Sequence, residues 1–240
     1  MSQRVTIDGE PAFLLHQRPY RNTSQLIECI SMSHGRVGLV AQGSRRAGRG
    51  DRALLQPFIP LRLSWIRRGE LGRVTGVDTA STALELHGNR LLAGYYLNEL
   101  LLRLMVRDDA NPEVFGHYSE CLSALVDTPS VARVLRLFEH RLLRSLGFGL
   151  PLSFDTVSHQ PIDPDMTYEF DIDGGPRVVR SNQGYSGKHL ISLREERLDD
   201  QESMQVARRL LGDALAIQLG SRRLKSRDVL QDIAARGLEL

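Results

Sequence analysis

Gly43-Ser44-Arg45-Arg46-Ala47-Gly48-Arg49-Gly50-Asp51-Arg52 sets four guanidiniums on a glycine-jointed backbone between two strand-like runs. Each guanidinium can meet a phosphate in bidentate fashion, and the segment holds no nucleophile, base or metal ligand, so its chemistry is anion gripping. The surrounding charge agrees. Residues 36–73 carry nine Arg against Asp51 and Glu70, a local +7, in a chain of 240 residues with a formal charge of +2. The flanks compensate, with −5 over 74–130, +3 over 131–150, −5 over 151–200 and +2 over 201–240. A focused positive field on a nearly neutral molecule favours a polyanionic partner without general stickiness. Arginine supplies 29 of the 31 basic residues, which genomic base composition explains as readily as phosphate binding does.

A second basic array follows a helical period. At about 100° per residue, Arg133, Arg136, His140 and Arg144 share one stripe beside Leu137, while Val131, Val134, Leu135, Phe138 and Leu142 face away. Such a stripe can dock an acidic peptide with an apolar anchor, or nucleic acid, although a solvated basic face is the commoner outcome. The cluster of Arg222, Arg223, Lys225 and Arg227 fits a helix C-terminus attracting cations, and its contact with DNA is left open. Asp163, Asp165, Glu169, Asp171 and Asp173 crowd a turn, but Asp171-Ile172-Asp173-Gly174 lacks the distal Glu of a calcium loop, and a polar hairpin tip is the better reading.

Catalytic patterns are missing. Gly43 to Gly48 continues as Arg49-Gly50 instead of the Lys-Ser/Thr of a phosphate loop, and Gly184-Tyr185-Ser186-Gly187-Lys188 does not complete a nucleophile elbow. The seven histidines are scattered without zinc spacing, and the two cysteines, Cys29 and Cys121, suit buried free thiols. No enzymatic activity and no cofactor or metal are expected. No signal-type N-terminus and no 18-residue apolar run occur, so a soluble cytoplasmic protein is expected.

The elements that would position these groups change period near His87. Before it, strand-like runs cover Ala12–Arg18, Gln25–Ser33, Arg36–Ala41, Leu54–Ile66 and Leu71–Val77, which predicts a five-stranded barrel of the OB type with the Arg-rich loop joining strands three and four. Phe13, Tyr20, Phe58 and Trp65 could stack on bases, but Trp65 shares its face with Ile59, Leu61 and Leu63 and belongs in the core. After His87, a helix carries Ala93, Leu97, Leu100, Leu101 and Leu104 on one face and Glu99, Arg103 and Arg107 on a polar stripe. Asn111-Pro112 and Thr128-Pro129 open two more helices, and Gly147 closes the second. A hairpin of Met166–Ile172 and Arg177–Arg180 follows, then a helix from Asp200 to Leu219 ending at Gly220, and a last helix capped by Ser226. The fold class is α+β.

Ala12-Phe13-Leu14-Leu15-His16-Gln17-Arg18-Pro19-Tyr20, Thr23-Ser24, Gly35-Arg36-Val37, Ala41-Gln42-Gly43 and Leu55-Gln56-Pro57-Phe58 together resemble the opening barrel of the bacterial RecO recombination mediators. Tyr96-Leu97-Asn98-Glu99-Leu100-Leu101, Leu135-Arg136-Leu137-Phe138-Glu139, Leu146-Gly147-Phe148-Gly149 and Leu224-Lys225-Ser226-Arg227 resemble later motifs of that family in the same order. The resemblance implies an OB barrel over residues 1–80 and a helical domain over 81–240. Within the latter, residues 148–199 form an irregular hairpin segment where many members carry a four-cysteine zinc module. This chain has no cysteine after Cys121, so it is similar to the zinc-free branch.

The resemblance further implies DNA repair in the RecF pathway, near the nucleoid. It implies binding of single- and double-stranded DNA, strand annealing, contact with the acidic C-terminal tail of single-stranded-DNA-binding protein, and recombinase loading with RecR. The expected DNA contacts are Arg36, Arg45, Arg46, Arg49, Arg52 and Arg62, and by position Arg136 falls where the acidic tail is received, with Arg133, His140 and Arg144 beside it. An RNA-binding or ribosome-associated barrel protein is permitted equally by the bare charge pattern, and a metal-dependent nuclease using the Asp163–Asp173 acids is a more distant alternative.

Overall fold

The computed structural model describes residues 4–44, 51–172, 174–180, 184–222 and 224–226, the side chains of residues 51 and 52 excepted. The chain forms two compact units, Met1–Val131 with Leu224–Leu240, and Ala132–Arg223, each taken over its described residues.

In the first unit, β1 (Val5–Tyr20), β2 (Ser24–Ser31), β3 (Gly35–Ala41), β4 (Leu61–Arg67) and β5 (Gly72–Thr79) close into a barrel in the order β1-β2-β3-β5-β4. Period-two alternation turns Val37, Leu39, Ala41, Leu61, Leu63 and Trp65 inward, and all are buried. Trp65 is therefore a core residue. β1 starts earlier than its apolar run because it serves two neighbours: its first half pairs β4, its second half pairs β2, and register shifts at Ile7/Glu10 and Leu14/His16 let it bend. The barrel closes where β3 runs parallel to β5, with Leu39 opposite Gly72 and Val40 opposite Arg73.

The expected strand Leu54–Ile66 is only half a strand. Asp51–Leu54 is a short helix, α1, and β4 begins at Leu61. Pro57 and Pro60 cannot donate to a ladder, which delays pairing until they are passed. Phe58 takes a φ of +66°, and its ring packs at 5.2 Å from Tyr95 on α2 (Gly88–Leu104), over Gly94.

The α2 helix is joined to the barrel by buried polar bonds. The β1 register shift frees the Leu15 carbonyl, which accepts from Asn98 Nδ2 at 3.1 Å, while the Tyr118 hydroxyl donates to Asn98 Oδ1 at 2.5 Å. Tyr118 lies on α3 (Pro112–Val126), which Asn111 caps through the Val114 amide, and it packs edge-on to Phe13. Cys29 and Cys121 are buried free thiols, as expected, and burial pushes the Cys29 thiol up.

The second unit holds most of α4 (Val131–Ser145), a sheet ordered β7 (Gly175–Val178), β6 (Thr167–Asp171), β8 (Tyr185–Ser186), then α5 (Gly187–Arg194) and α6 (Gln201–Leu219). The α4 helix starts two residues after Pro129 because Thr128 Oγ1 accepts the Ser130 amide in a local turn. Asp200 and Gly220 cap α6 as expected. Residues 148–199 are more regular than expected: β8 adds a third strand, and Leu190 and Leu193 bury one face of α5. Gly187 belongs to packing, since a Cβ there would lie 1.9 Å from the Asp163 carbonyl oxygen.

Candidate nucleic-acid interface

Outward-facing residues of the barrel converge at its parallel seam. Val40 of β3, Arg73 of β5 and Ile66 of β4 are register partners in one row across three strands. The β1–β2 turn brings Tyr20 and Arg21 beside this row, the β4–β5 turn brings Arg68 and Leu71, and Arg4 precedes β1. Together they line an open concavity of about 470 Å³, the size of a small-ligand cleft. Arg4, Arg21, Arg68 and Arg73 are all exposed, and none of their guanidiniums has a hydrogen bond or ion pair among the described residues.

Arg67 shows how the turn is held. Its guanidinium donates to the Gly69 carbonyl at 2.6 Å, to the Glu70 carbonyl at 3.2 Å and to both oxygens of Asp108. The Asp108 hydrogen bond holds its pKa above the ordinary arginine value. Arg67 is thereby spent on fastening the turn that presents Arg68. Uncompensated guanidiniums lining one concavity together with apolar side chains suit a polyphosphate strand. In OB barrels the turns β1–β2 and β4–β5 commonly flank the oligonucleotide path.

The expected contact residues fare differently. Arg45, Arg46 and Arg49 lie outside the described residues, as does the side chain of Arg52. Gln42, at the concavity, precedes Arg45 by three residues in sequence. Arg62 is exposed on β4, away from the concavity, and donates to the Gly9 carbonyl at 3.1 Å. Arg36 is turned inward. Its Nε meets Glu28 at 3.0 Å and its Nη1 caps α2 by donating to the Leu102 and Met105 carbonyls at 2.6 and 3.2 Å. Glu28 also pairs with Arg107, so Arg36 braces β3 against the end of α2 and has little left for phosphate. Arg4, Arg21, Arg68 and Arg73 were not singled out from the sequence; Arg68 and Arg73 fall in the +7 segment, which was the available signal.

The match to known families decides the identity. The family model described as Recombination protein O N terminal covers residues 8–83, and the one described as Recombination protein O C terminal covers residues 86–228. The chain belongs to the RecO family. It is similar to the DNA repair protein RecO of Methylococcus capsulatus, 39% identical over 229 residues that cover 95% of this chain and 94% of that one. The RecO of Nitrosococcus oceani is 40% identical over 232 residues, covering 95% and 94%. The RecO of Coxiella burnetii is 39% identical over 233 residues, covering 96% and 100%. The chain is thus an α+β protein of a DNA repair and recombination family with an OB-type N-terminal barrel.

In the second unit of this RecO chain, the α4 stripe is largely engaged internally. Arg133 donates to the Arg197 carbonyl at 2.6 and 3.0 Å and to the Glu196 carbonyl at 3.3 Å. Arg136 pairs at 2.6 Å with Glu139, whose side chain is fully buried. His140 is buried, and burial lowers its pKa, so it carries no charge near pH 7 and is not part of an exposed stripe. Arg144 alone of the four is well exposed, at 56%, and lies 3.7 Å from Glu196. Glu196 and Leu198 adopt φ values of +57° and +44°, so α4 fastens a strained turn between α5 and α6.

The late acids serve turns. Asp171 Oδ1 accepts the Gly174 amide, Asp163 Oδ1 accepts the Asp165 amide and Glu169 pairs with Arg177; Asp173 lies outside the described residues. Among the described residues the only convergent ligand set is His189, Asp200 and Glu202, and both Asp200 oxygens already accept from Ser203. In the C-terminal cluster, Arg222 returns to the Leu219 carbonyl, while Arg223 and Arg227 lie outside the described residues. The amides of Lys225 and Ser226 dock on Glu99 of α2. Burial would raise the Glu99 pKa, but the Ser226 hydroxyl, these amides and Arg103 outweigh it and hold it low. Among the described residues no helix is long and apolar enough to cross a membrane.

Proposed function

We propose that this RecO-family chain is a non-enzymatic recombination mediator acting in the cytoplasm at the nucleoid. It grips single- and double-stranded DNA through phosphates, anneals complementary strands and cooperates with RecR to load recombinase. The observation that carries this reading is the concavity with four uncompensated arginines at the seam of the barrel. By this reading Arg45, Arg46, Arg49, Arg52 and Arg62 supply further phosphate contacts. Residues 1–80 serve as the DNA-binding module and 81–240 as the partner-binding module. Neutralising phosphates on two strands lowers their repulsion, and base pairing then drives annealing.

A salt titration of single-stranded DNA affinity tests it. The four concavity arginines alone contribute about −3 to the slope of log K against log salt, and the double variant Arg68→Ala/Arg73→Ala flattens it by about 1.4. A salt-independent affinity overturns the phosphate grip, and preference for structured RNA over DNA overturns the reading in favour of an RNA-binding barrel protein.

The acidic tail of single-stranded-DNA-binding protein docks by this reading on the α4 face, with exposed Arg144 as the accessible cation and Arg136 further along the same helix. Arg144→Glu weakens binding of an acidic peptide ending in Phe and leaves naked-DNA affinity intact; equal loss of both refutes separate surfaces.

A further inference from the structure

The concavity holds more than phosphate chemistry requires. Tyr20 ends β1 half-buried, with its hydroxyl making no hydrogen bond among the described residues. Arg21, the next residue, takes a φ of +53°, a left-handed conformation that costs energy for any side chain bearing a Cβ. The conformation has a visible result: the Arg21 guanidinium lies 5.2 Å from the Tyr20 ring centroid. A planar cation against an aromatic ring forms a flat, polarised platform. The same recess is lined by Leu71, 41% exposed on the β4–β5 turn, and by Val40 and Ile66. Phosphate binding alone makes no use of the aromatic platform or of the apolar side chains beside it.

We infer that Tyr20, stacked with Arg21, is a platform for an unpaired nucleobase, so that this concavity prefers single strands over duplex. The inference rests on the DNA-gripping reading above and deepens it. In a duplex the base faces are already covered by their neighbours, so only an unpaired strand offers one to Tyr20, while either form offers phosphates to Arg68 and Arg73. Stacking is tolerant of base identity, which suits a protein that must anneal any complementary pair.

The test compares the full-length protein with Tyr20→Ala, Tyr20→Phe and Arg68→Ala/Arg73→Ala. Each is titrated with a single-stranded oligonucleotide, an abasic deoxyribose-phosphate strand of equal length and a duplex of that length, with near-UV circular dichroism as the folding control. Tyr20→Ala is expected to weaken the single strand by about 5- to 100-fold, with the abasic strand and duplex unchanged and Tyr20→Phe close to wild type. In Tyr20→Trp, fluorescence is quenched by the oligonucleotide and not by the abasic strand. Equal weakening of all three ligands by Tyr20→Ala, or of none, overturns the inference. If the arginine pair matters while Tyr20 does not, the platform falls and the phosphate grip stands; if the arginine pair changes nothing, the grip itself falls.

Discussion

Arg36 and Arg68 are the same side chain with opposite fates. Arg36 has a carboxylate on one edge and two helix-terminal carbonyls on the other, whereas Arg68 faces solvent beside a neighbour, Arg67, that takes the local acceptors. Arg36→Ala is expected to lower unfolding stability by about 2 kcal/mol, the worth of hydrogen bonds to a charged group, with DNA affinity unchanged while the protein is folded. Arg68→Ala should do the reverse, leaving thermal stability alone and weakening DNA. Melting curves and titrations on the same two proteins separate the cases. Asn98→Ala belongs with Arg36: it removes the donor to the Leu15 carbonyl and the acceptor of the Tyr118 hydroxyl inside the first unit, at a cost of about 1–3 kcal/mol in chemical denaturation.

At the scale of elements, the segment holding β6 and β7 is fastened by one carboxylate. Asp155 Oδ1 accepts the Val157 amide at 3.0 Å, the Ser158 amide at 2.6 Å and the Ser158 hydroxyl at 2.7 Å, and Oδ2 accepts the Val178 amide of β7 at 2.7 Å. The Ser158 bonds lead in holding the carboxyl down to about 2. A carboxylate lowered by folding contributes stability above its unfolded value near 4 and loses that contribution as pH falls from there toward 2. The tertiary circular dichroism of this region is therefore expected to weaken over that interval in the wild type, and Asp155→Asn to remove the pH step. Hydrogen exchange at Ser158 and Val178 should quicken in Asp155→Asn at neutral pH. The α4 helix plays a comparable part for the α5–α6 turn, where Arg141 donates to Glu196 at 2.5 and 2.8 Å and, with Arg144, keeps that carboxylate ionised against burial.

Across the whole molecule, charge is segregated while the total stays near neutral. The +7 segment contributes to the barrel, and the acidic segments 74–130 and 151–200 bring the total close to neutral. Annealing should accordingly show an optimum in salt: too little leaves the protein bound to single strands, too much strips it from them. Replacing Arg45, Arg46, Arg49 and Arg52 with Ala is expected to slow annealing and, like the concavity variant, to flatten the salt dependence. Full annealing by that variant would place the grip on the barrel face alone.

Much of the architecture was local and hence legible. Val37, Leu39 and Ala41 announce a strand face, Asn111-Pro112 a helix start, and Asp200 with Gly220 the two ends of α6, because each signal and its consequence lie within a few residues. The ordered motifs likewise pointed to the RecO family, which the family models bear out. The role of each arginine was decided by tertiary structure. Arg36 acquires its partners from Glu28 and from the end of α2, some 66 and more residues away in the case of Leu102 and Met105. Arg4, Arg21, Arg68 and Arg73 meet only because a parallel β3–β5 pairing closes the barrel and gathers two turns and a strand end at one seam. Whether a guanidinium braces the fold or awaits a phosphate depends on which acceptors lie within hydrogen-bond reach, and folding alone brings distant acceptors there.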